Sequence, residues 1–147
     1  MAARTRLAQC YRRSNRPDAA IAHFEQALED SAAPEERENL RIGLSMAFAS
    51  AGRYNDTVQQ LRIVLAQRQR RLGSRHHDTL VIHHRLGRTC TQAGQVSEAV
   101  ETLQAAYRGG LAAAGDPEIR VLTMKMRRDL AGALSAAGRH RDAAALF

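Results

Sequence analysis

The strongest constraint on the fold of this sequence is a pattern that recurs four times along the chain. Two columns of residues carry the pattern, one of leucines and one of turn-forming residues. The leucines are Leu7, Leu44, Leu86 and Leu130, and the turn residues are Asn15, Gly52, Gly94 and Gly138. Both columns advance by the same steps of 37, 42 and 44 residues, so they keep register while the repeat length changes. Self-similarity of this kind indicates an array of helical hairpins, each packed against the next.

Local signals place two helices in each repeat. Apolar residues recur at helical spacing, proline and acidic residues stand at several helix starts, and glycine or asparagine follows the helix ends. The first predicted helix begins at or before Met1, and the eighth runs from about Arg141 to Phe147. The others span about 17–30, 34–52, 56–72, 78–93, 98–114 and 117–137. We therefore expect an all-α fold without appreciable sheet.

Two further columns follow the same register. Good capping residues share the position just before a second helix, namely Asp18, Asn55 and Ser97, whereas Arg141 breaks this rule. Another column holds only small residues, namely Ala8, Ser45, Gly87 and Ala131. A small side chain there is expected to let the two helices of a hairpin approach closely.

The first helix is expected to pack through one apolar stripe. Its members are Ala3, Leu7, Cys10, Tyr11 and Ser14. Cys10 and Cys90 both fall on the inner side of a first helix, which predicts two buried thiols. Their pattern gives little support to a disulfide or a metal pair.

Composition narrows the class of protein. Hydrophobic residues make up 44% of the chain, aromatic residues only 4%, and tryptophan is absent, so the core must consist of Leu, Ala, Val and Ile. No apolar run approaches the roughly 18 residues of a membrane span. The N-terminus lacks a hydrophobic signal core, so we expect a cytoplasmic protein without a membrane partner.

The chain is basic, with a formal net charge of +7, and Lys125 is its only lysine. Arginine grips carboxylate or phosphate with two parallel hydrogen bonds, which points to acidic partners. The same bias also follows from a GC-rich coding sequence, so composition leaves both explanations open.

Histidines give the only candidate for chemistry. His76, His77, His83 and His84 cluster, and His77 and His84 are spaced to share a helix face. Apart from the neighbouring Asp78, no cysteine or carboxylate completes a metal-ligand set. Ser-His-Asp order, a P-loop and a glycine-rich phosphate loop are absent. We therefore expect neither an enzyme nor a metal or other cofactor.

The columns resemble the tetratricopeptide repeat (TPR). The first hairpin carries the signature order of that family in Leu7, Ala8, Tyr11, Ala20, Phe24 and Ala27. The family's first-helix tryptophan is missing, since its column holds Arg4, Arg41, His83 and Arg127. The longer repeats resemble those of kinesin light chains and many bacterial regulators. The connector from Leu72 to Leu80 follows that subclass except for His77 in place of proline, and Asp116-Pro117-Glu118 is a weaker copy.

This resemblance implies a right-handed superhelical array of antiparallel helix hairpins. The predicted repeats span about 1–33, 34–75, 76–116 and 117–147 of a single domain, the last one incomplete. The two unfinished ends predict a fragment that self-associates through them, or whose C-terminal hairpin frays.

The family lines a concave groove with the first helix of each hairpin. The residues of this chain in those positions are Gln9, Arg12, Arg13, Ile42, Met46, His84, Arg88, Lys125 and Arg128, with Thr5, Ala49, Thr91 and Ser135 beside them. This groove is expected to be basic at both ends and apolar between, which suits an acidic or mixed peptide; a solvated basic face explains the pattern equally well. Members that clamp a C-terminal carboxylate carry Lys and Asn in the columns of Thr5 and Gln9, so that activity is not expected here.

The function implied by the resemblance is a scaffold that binds a protein or peptide. By analogy, we expect a sensor or regulatory segment of a larger bacterial signalling or transcriptional regulator. Direct binding of nucleic acid by the arginine-rich surface is the alternative. Few stacking aromatics and no recognition motif make nucleic acid the weaker hypothesis.

Overall fold

A computed structural model describes the backbone of residues 2–13 and 16–147 and the side chains of residues 3–11 and 16–147. Eight helices and no strand lie in these ranges, which confirms the predicted all-α fold. They are α1 (Ala2–Arg13), α2 (Pro17–Asp30), α3 (Pro34–Ser50), α4 (Tyr54–Leu72), α5 (His77–Gln92), α6 (Val96–Ala112), α7 (Pro117–Ala136) and α8 (His140–Ala145). The predicted turn residue Asn15 and the predicted core residue Ser14 lie outside the described residues.

The chain divides into two compact units, Met1–Val64 and Leu65–Phe147, and the division falls within α4. In the N-terminal unit, α1 packs against α2 and α3. Its core is aliphatic apart from two phenylalanines, and it consists of Ala8, Ala20, Ile21, Phe24, Ala27, Leu40, Leu44, Ala47 and Phe48. The expected core of Leu, Ala, Val and Ile is therefore found only in part, since Phe24 and Phe48 belong to it.

The C-terminal unit is built from hairpins in series. Helix α6 packs against α5 and α7, α7 also contacts α5, and α8 packs on α7. One buried cluster joins these helices through Leu80, Ala106, Ile119 and Met126. The hairpin α5–α6 closes tightly because a side chain at Gly87 would meet the Cδ2 atom of Leu103 at 2.5 Å. The small-residue column therefore acts as predicted at this position.

Glycines end three of the first helices. Gly52, Gly94 and Gly138 have φ of +74°, +76° and +77°, a region that residues with a Cβ rarely adopt. The next residue donates its N–H across each turn to the helix it leaves, as from Arg53 to the carbonyl of Phe48 at 2.8 Å. These are the C-terminal glycine turns that the repeat pattern predicts.

The predicted N-caps of the second helices are wrong by two positions. Asp18, Asn55 and Ser97 lie inside the first turns, and the capping positions are held by Arg16, Arg53 and Gln95. At Asn55 and Ser97 the reason is the tightness of the glycine turn, since the carbonyl of the residue after the glycine already accepts the first helical hydrogen bond. Thr57 N–H, for example, donates to the Arg53 carbonyl at 3.1 Å.

The predicted packing stripe of α1 is only partly correct. Ala8 is buried and Tyr11 is half-buried, but Leu7 is 43% exposed and Ala3 and Cys10 are exposed. Leu44, the equivalent of Leu7 in α3, lies in the core cluster that α1, α2 and α3 share, whereas Leu7 lies outside this cluster. Cys90 is buried as predicted.

Candidate functional site

A cleft of about 540 Å³ lies in the N-terminal unit between α1 and α3. It brings together three of the predicted groove residues, Gln9, Ile42 and Met46. The other residues that line it are Thr5, Arg6, Phe24, Glu36, Asn39, Leu40 and Gly43. The side chains of Arg12 and Arg13 fall outside the described part of the chain, so their predicted place in the groove remains a prediction.

The floor of the cleft depends on a glycine. A Cβ at Gly43 would meet the ring of Phe24 at 2.5 Å, so only glycine lets this ring reach α3. Phe24 and Leu40 are buried and form an apolar floor, and Ile42 and Met46 are half-buried beside it. Such a floor can accept an apolar side chain of a ligand.

The rim of the cleft is polar and carries both charges. Arg6 and Asn39 are exposed, Glu36 is half-buried, and Gln9 is exposed on α1. The amides of Gln9 and Asn39 each offer a donor and an acceptor, which is what the backbone of an extended peptide requires. The cleft thus combines an apolar floor with a polar rim that carries both charges.

A hydrogen-bonded histidine and carboxylate lie on the corresponding helices of the C-terminal unit. His84 on α5 approaches Asp129 on α7, with 2.6 Å between Nε2 and Oδ2. Arg88 approaches the same oxygen of this carboxylate, with 3.7 Å between its Nε and Oδ2. The His84 side chain is only 8% exposed. Sequence reasoning placed His84 and Arg88 on the groove but missed Asp129, although its position just before Leu130 in the repeat register was a usable signal.

Burial lowers the pKa of His84 below its ordinary value of 6.5. The hydrogen bond and the charge of Asp129 act in the opposite direction, and the charges of Arg88 and Lys125 add to the lowering. Burial outweighs the carboxylate, so the imidazole is neutral near neutral pH and Nε2–H donates to Asp129. This face is consequently less basic than the sequence suggested, because His84 is neutral and Arg88 shares a carboxylate.

Acidification should destabilise the C-terminal unit. The folded pKa of His84 is lowered, so the unfolded chain binds more protons, and stability is lost as the pH falls below about 6.5. Burial lowers the pKa of His83 as well, which adds to the same trend. We expect the unfolding midpoint in urea to fall between about pH 7.5 and 5.5, and His84→Gln to remove part of this slope. His140→Gln is the matched control, since His140 is exposed. An NMR titration that places the His84 pKa at or above 6.5 would contradict this account.

The remaining predicted residues, Lys125 and Arg128, are exposed on α7. They border a shallow cleft of about 360 Å³ together with Val121, Met124, Arg127 and Phe147. Neither Lys125 nor Arg128 has an ion-pair partner among the described residues. These two side chains and the exposed Arg88, rather than His84, supply the positive charge of this face.

The histidine cluster disperses in the structure. His76 caps α5, accepting a hydrogen bond from the Asp78 N–H at 3.1 Å. His77 contacts the carboxylate of Asp78, and its Nε2 lies 3.8 Å from the carboxylate of Glu118. Across the described residues, no three His, Cys, Asp or Glu side chains are grouped so that they could hold a metal ion.

Family comparisons decide the classification. A family model described as tetratricopeptide repeat matches residues 36–109, and a second one of the same description matches residues 3–38. The chain belongs to the tetratricopeptide repeat family. Proteins of this family are typically non-catalytic scaffolds for protein–protein interaction. None of the curated proteins matches the sequence.

Solved structures of TPR proteins are similar over nearly the whole chain. One is the crystal structure of a kinesin light chain protein of Podosopora anserina with nearly identical TPR-like repeats, at a TM-score of 0.77 and 25% identity, covering 99% of this chain and 70% of that one. A single-residue variant of that protein has a TM-score of 0.78, with the same identity and coverage. Another is BtubC (BKLC) from P. vanneervenii, at a TM-score of 0.78 and 21% identity, covering 98% of this chain and 59% of that one. These neighbours confirm the predicted likeness to kinesin light chain repeats.

Within the described ranges, none of the helices combines the length and the apolar composition that crossing a membrane requires.

Proposed function

We propose that this TPR protein binds an extended peptide segment of a partner protein in the cleft between α1 and α3. The observation that supports the proposal is the combination of an apolar floor with amide groups on the rim. Phe24 and Met46 offer room for one apolar side chain, while Gln9 and Asn39 can pair with the peptide backbone. The preferred ligand then carries an apolar residue flanked by residues of both charges, which match Arg6 and Glu36.

The C-terminal unit supplies a second, basic contact in this proposal. Arg88, Lys125 and Arg128 are exposed and positive, so they bind acidic residues of a partner. His84 supports this face from below by holding Asp129 in place. The four repeats, bounded near residues 33, 75 and 116, act as a cytoplasmic sensor or regulatory segment of a larger bacterial regulator.

Selection from a library of random linear peptides tests the cleft. Peptides retained by the wild-type protein should be lost on Met46→Glu, which places a charge over the apolar floor. We expect affinity to fall by about tenfold or more. Leu7→Glu is the matched control because Leu7 is exposed on α1 and does not line the cleft. Equal binding by wild type and Met46→Glu would contradict the proposal.

The same selected peptides separate this function from nucleic-acid binding. Binding to phosphate weakens steeply with salt because counterions are released, whereas an apolar contact weakens little. Retention of the peptides in high salt is therefore expected. Competition by single-stranded nucleic acid at low salt would instead favour the alternative.

A further inference from the structure

Large exposed apolar side chains are concentrated on α7 and its neighbours. Four exposed ones, Leu111, Val121, Met124 and Phe147, line two adjoining clefts there. Met124 is 62% exposed and Phe147 is 72% exposed. Single exposed apolar residues are ordinary, but a contiguous group bordered by polar residues marks an interaction surface. We call these four residues, with the basic side chains around them, the α7 surface.

The repeat register shows what shape covers such a surface. Met124 and Phe147 each lie 44 residues after a buried leucine, Leu80 and Leu103. Leu80 is covered by a helix, since it packs in one cluster with Ile119 and Met126 of α7. The equivalent positions on the α7 surface therefore fit a helix whose apolar residues have the spacing of Ile119 and Met126 on α7.

Charge decides which helix fits. The α7 surface is bordered by Arg120, Lys125, Arg127 and Arg128, and none of them forms an ion pair within the described residues. The nearby carboxylates are engaged elsewhere, Asp142 with Arg139 at 2.9 Å and Asp129 with His84. Arg127 lies over the ring of Phe147 at 4.9 Å, which keeps a positive charge next to the apolar group.

The contact between α5 and α7 shows how an acidic residue of a covering helix can be placed. Asp129 of α7 meets His84 of α5, and the residue 44 positions after His84 is Arg128. A carboxylate placed on an incoming helix as Asp129 is placed on α7 would therefore face a guanidinium. That pairing is stronger than a carboxylate with a neutral imidazole, and it can be bidentate.

Charge complementarity also argues against a second copy of the chain as the occupant of the α7 surface. The exposed stripe of α1 holds the leucine equivalent to Leu130, namely Leu7, but the position equivalent to Asp129 is Arg6. Arg4 and Arg6 are both exposed. Docking α1 of another copy on the α7 surface would bring arginine against Arg128, and juxtaposed like charges are repulsive.

We infer that the α7 surface binds an acidic amphipathic helix of a partner protein. The helix carries an apolar stripe over Met124 and Phe147, and carboxylates on its flanks meet Lys125, Arg127 and Arg128. Lys125 and Arg128, which were proposed above as basic contacts, thereby act together with the neighbouring apolar side chain of Met124. The surface does not include the cleft between α1 and α3, so this inference stands or fails independently of peptide binding there.

A designed peptide tests the inference. The probe is a fluorescent helical peptide with Ile, Thr, Met and Leu at the spacing of residues 119, 123, 126 and 130, and with glutamate at its exposed positions. The control peptide has the same composition with its apolar residues spread around the helix. Fluorescence anisotropy should show saturable binding of the first peptide and loss of about tenfold or more in affinity for the second.

Variants of the protein locate the binding. Met124→Glu changes an exposed side chain, so the fold is kept, and it should weaken the peptide by about tenfold or more. The same change at Leu7 and at Met46 should leave the affinity unaltered. Equal binding of both peptides, or unaltered binding by Met124→Glu, would overturn the inference. A dimer in sedimentation that Met124→Glu dissociates would also overturn it, because the occupant would then be a second copy.

Discussion

Phe24→Ala is expected to cost the N-terminal unit about 3–5 kcal/mol of unfolding free energy, as fully buried phenylalanines commonly do. Phe24 is 1% exposed, it belongs to the core cluster of its unit, and its ring lies against Gly43 of α3. Removing the ring leaves a cavity. Helix α3 cannot move to fill it without disturbing Leu40 and Leu44, which pack in the same cluster. Urea unfolding followed by circular dichroism measures the loss.

Phe147→Ala is the control for this change. The same atoms are removed from a ring that is 72% exposed and contacts Arg127. We expect a loss of about 1 kcal/mol or less, the size of an exposed cation–π contact. Similar losses for both variants would mean that Phe24 is not the anchor of the core.

Gly87→Ala is expected to destabilise the α5–α6 hairpin by about 1–3 kcal/mol, although alanine is the better helix former. The new Cβ would lie 2.5 Å from Cδ2 and 2.6 Å from Cγ of Leu103, and Leu103 is fully buried. Because Cγ is close to the backbone of α6, the clash cannot be relieved by rotating the end of the side chain alone. One of the two helices must shift.

Gly132→Ala makes the same substitution within a helix where there is space. Nothing lies within 4 Å of its Cβ position in α7, and the residue is exposed. Helix propensity then acts alone, and we expect a gain of about 0.5–1 kcal/mol. Opposite signs at the two glycines in urea unfolding are the expected result, and a gain at Gly87 would show that the hairpin is not tightly packed.

The helices and their turns could be predicted because short-range signals determine them. Gly52, Gly94 and Gly138 each have a left-handed backbone that glycine adopts with the least strain, so their column predicted the ends of α3, α5 and α7. The caps failed because both Asn55 and the preceding Arg53 can begin a helix, and the geometry of the glycine turn decides between them. The capping preference of single residues does not include the geometry of the glycine turn.

The packing of α1 and the hydrogen bond between His84 and Asp129 depend on which helices meet. Leu7 matches Leu44 in sequence, yet its burial is set by whether another helix lies on that side. Asp129 reaches His84 across 45 residues of chain, and the sequence pattern alone did not show that the histidine would be buried and neutral. By contrast, Gln9, Ile42 and Met46 share one cleft because the repeat register places them on adjacent first helices.

The methionine methyl groups give the most direct test of the proposed function. Met46 lies in the cleft, Met124 lies on the α7 surface, and Met126 is buried in the core. A methyl NMR spectrum of methionine-labelled protein, titrated with a peptide selected on the wild type, reports on all three places at once. The account predicts a saturable shift of the Met46 methyl signal while those of Met124 and Met126 stay in place. A set of selected peptides of which none moves the Met46 signal would contradict it.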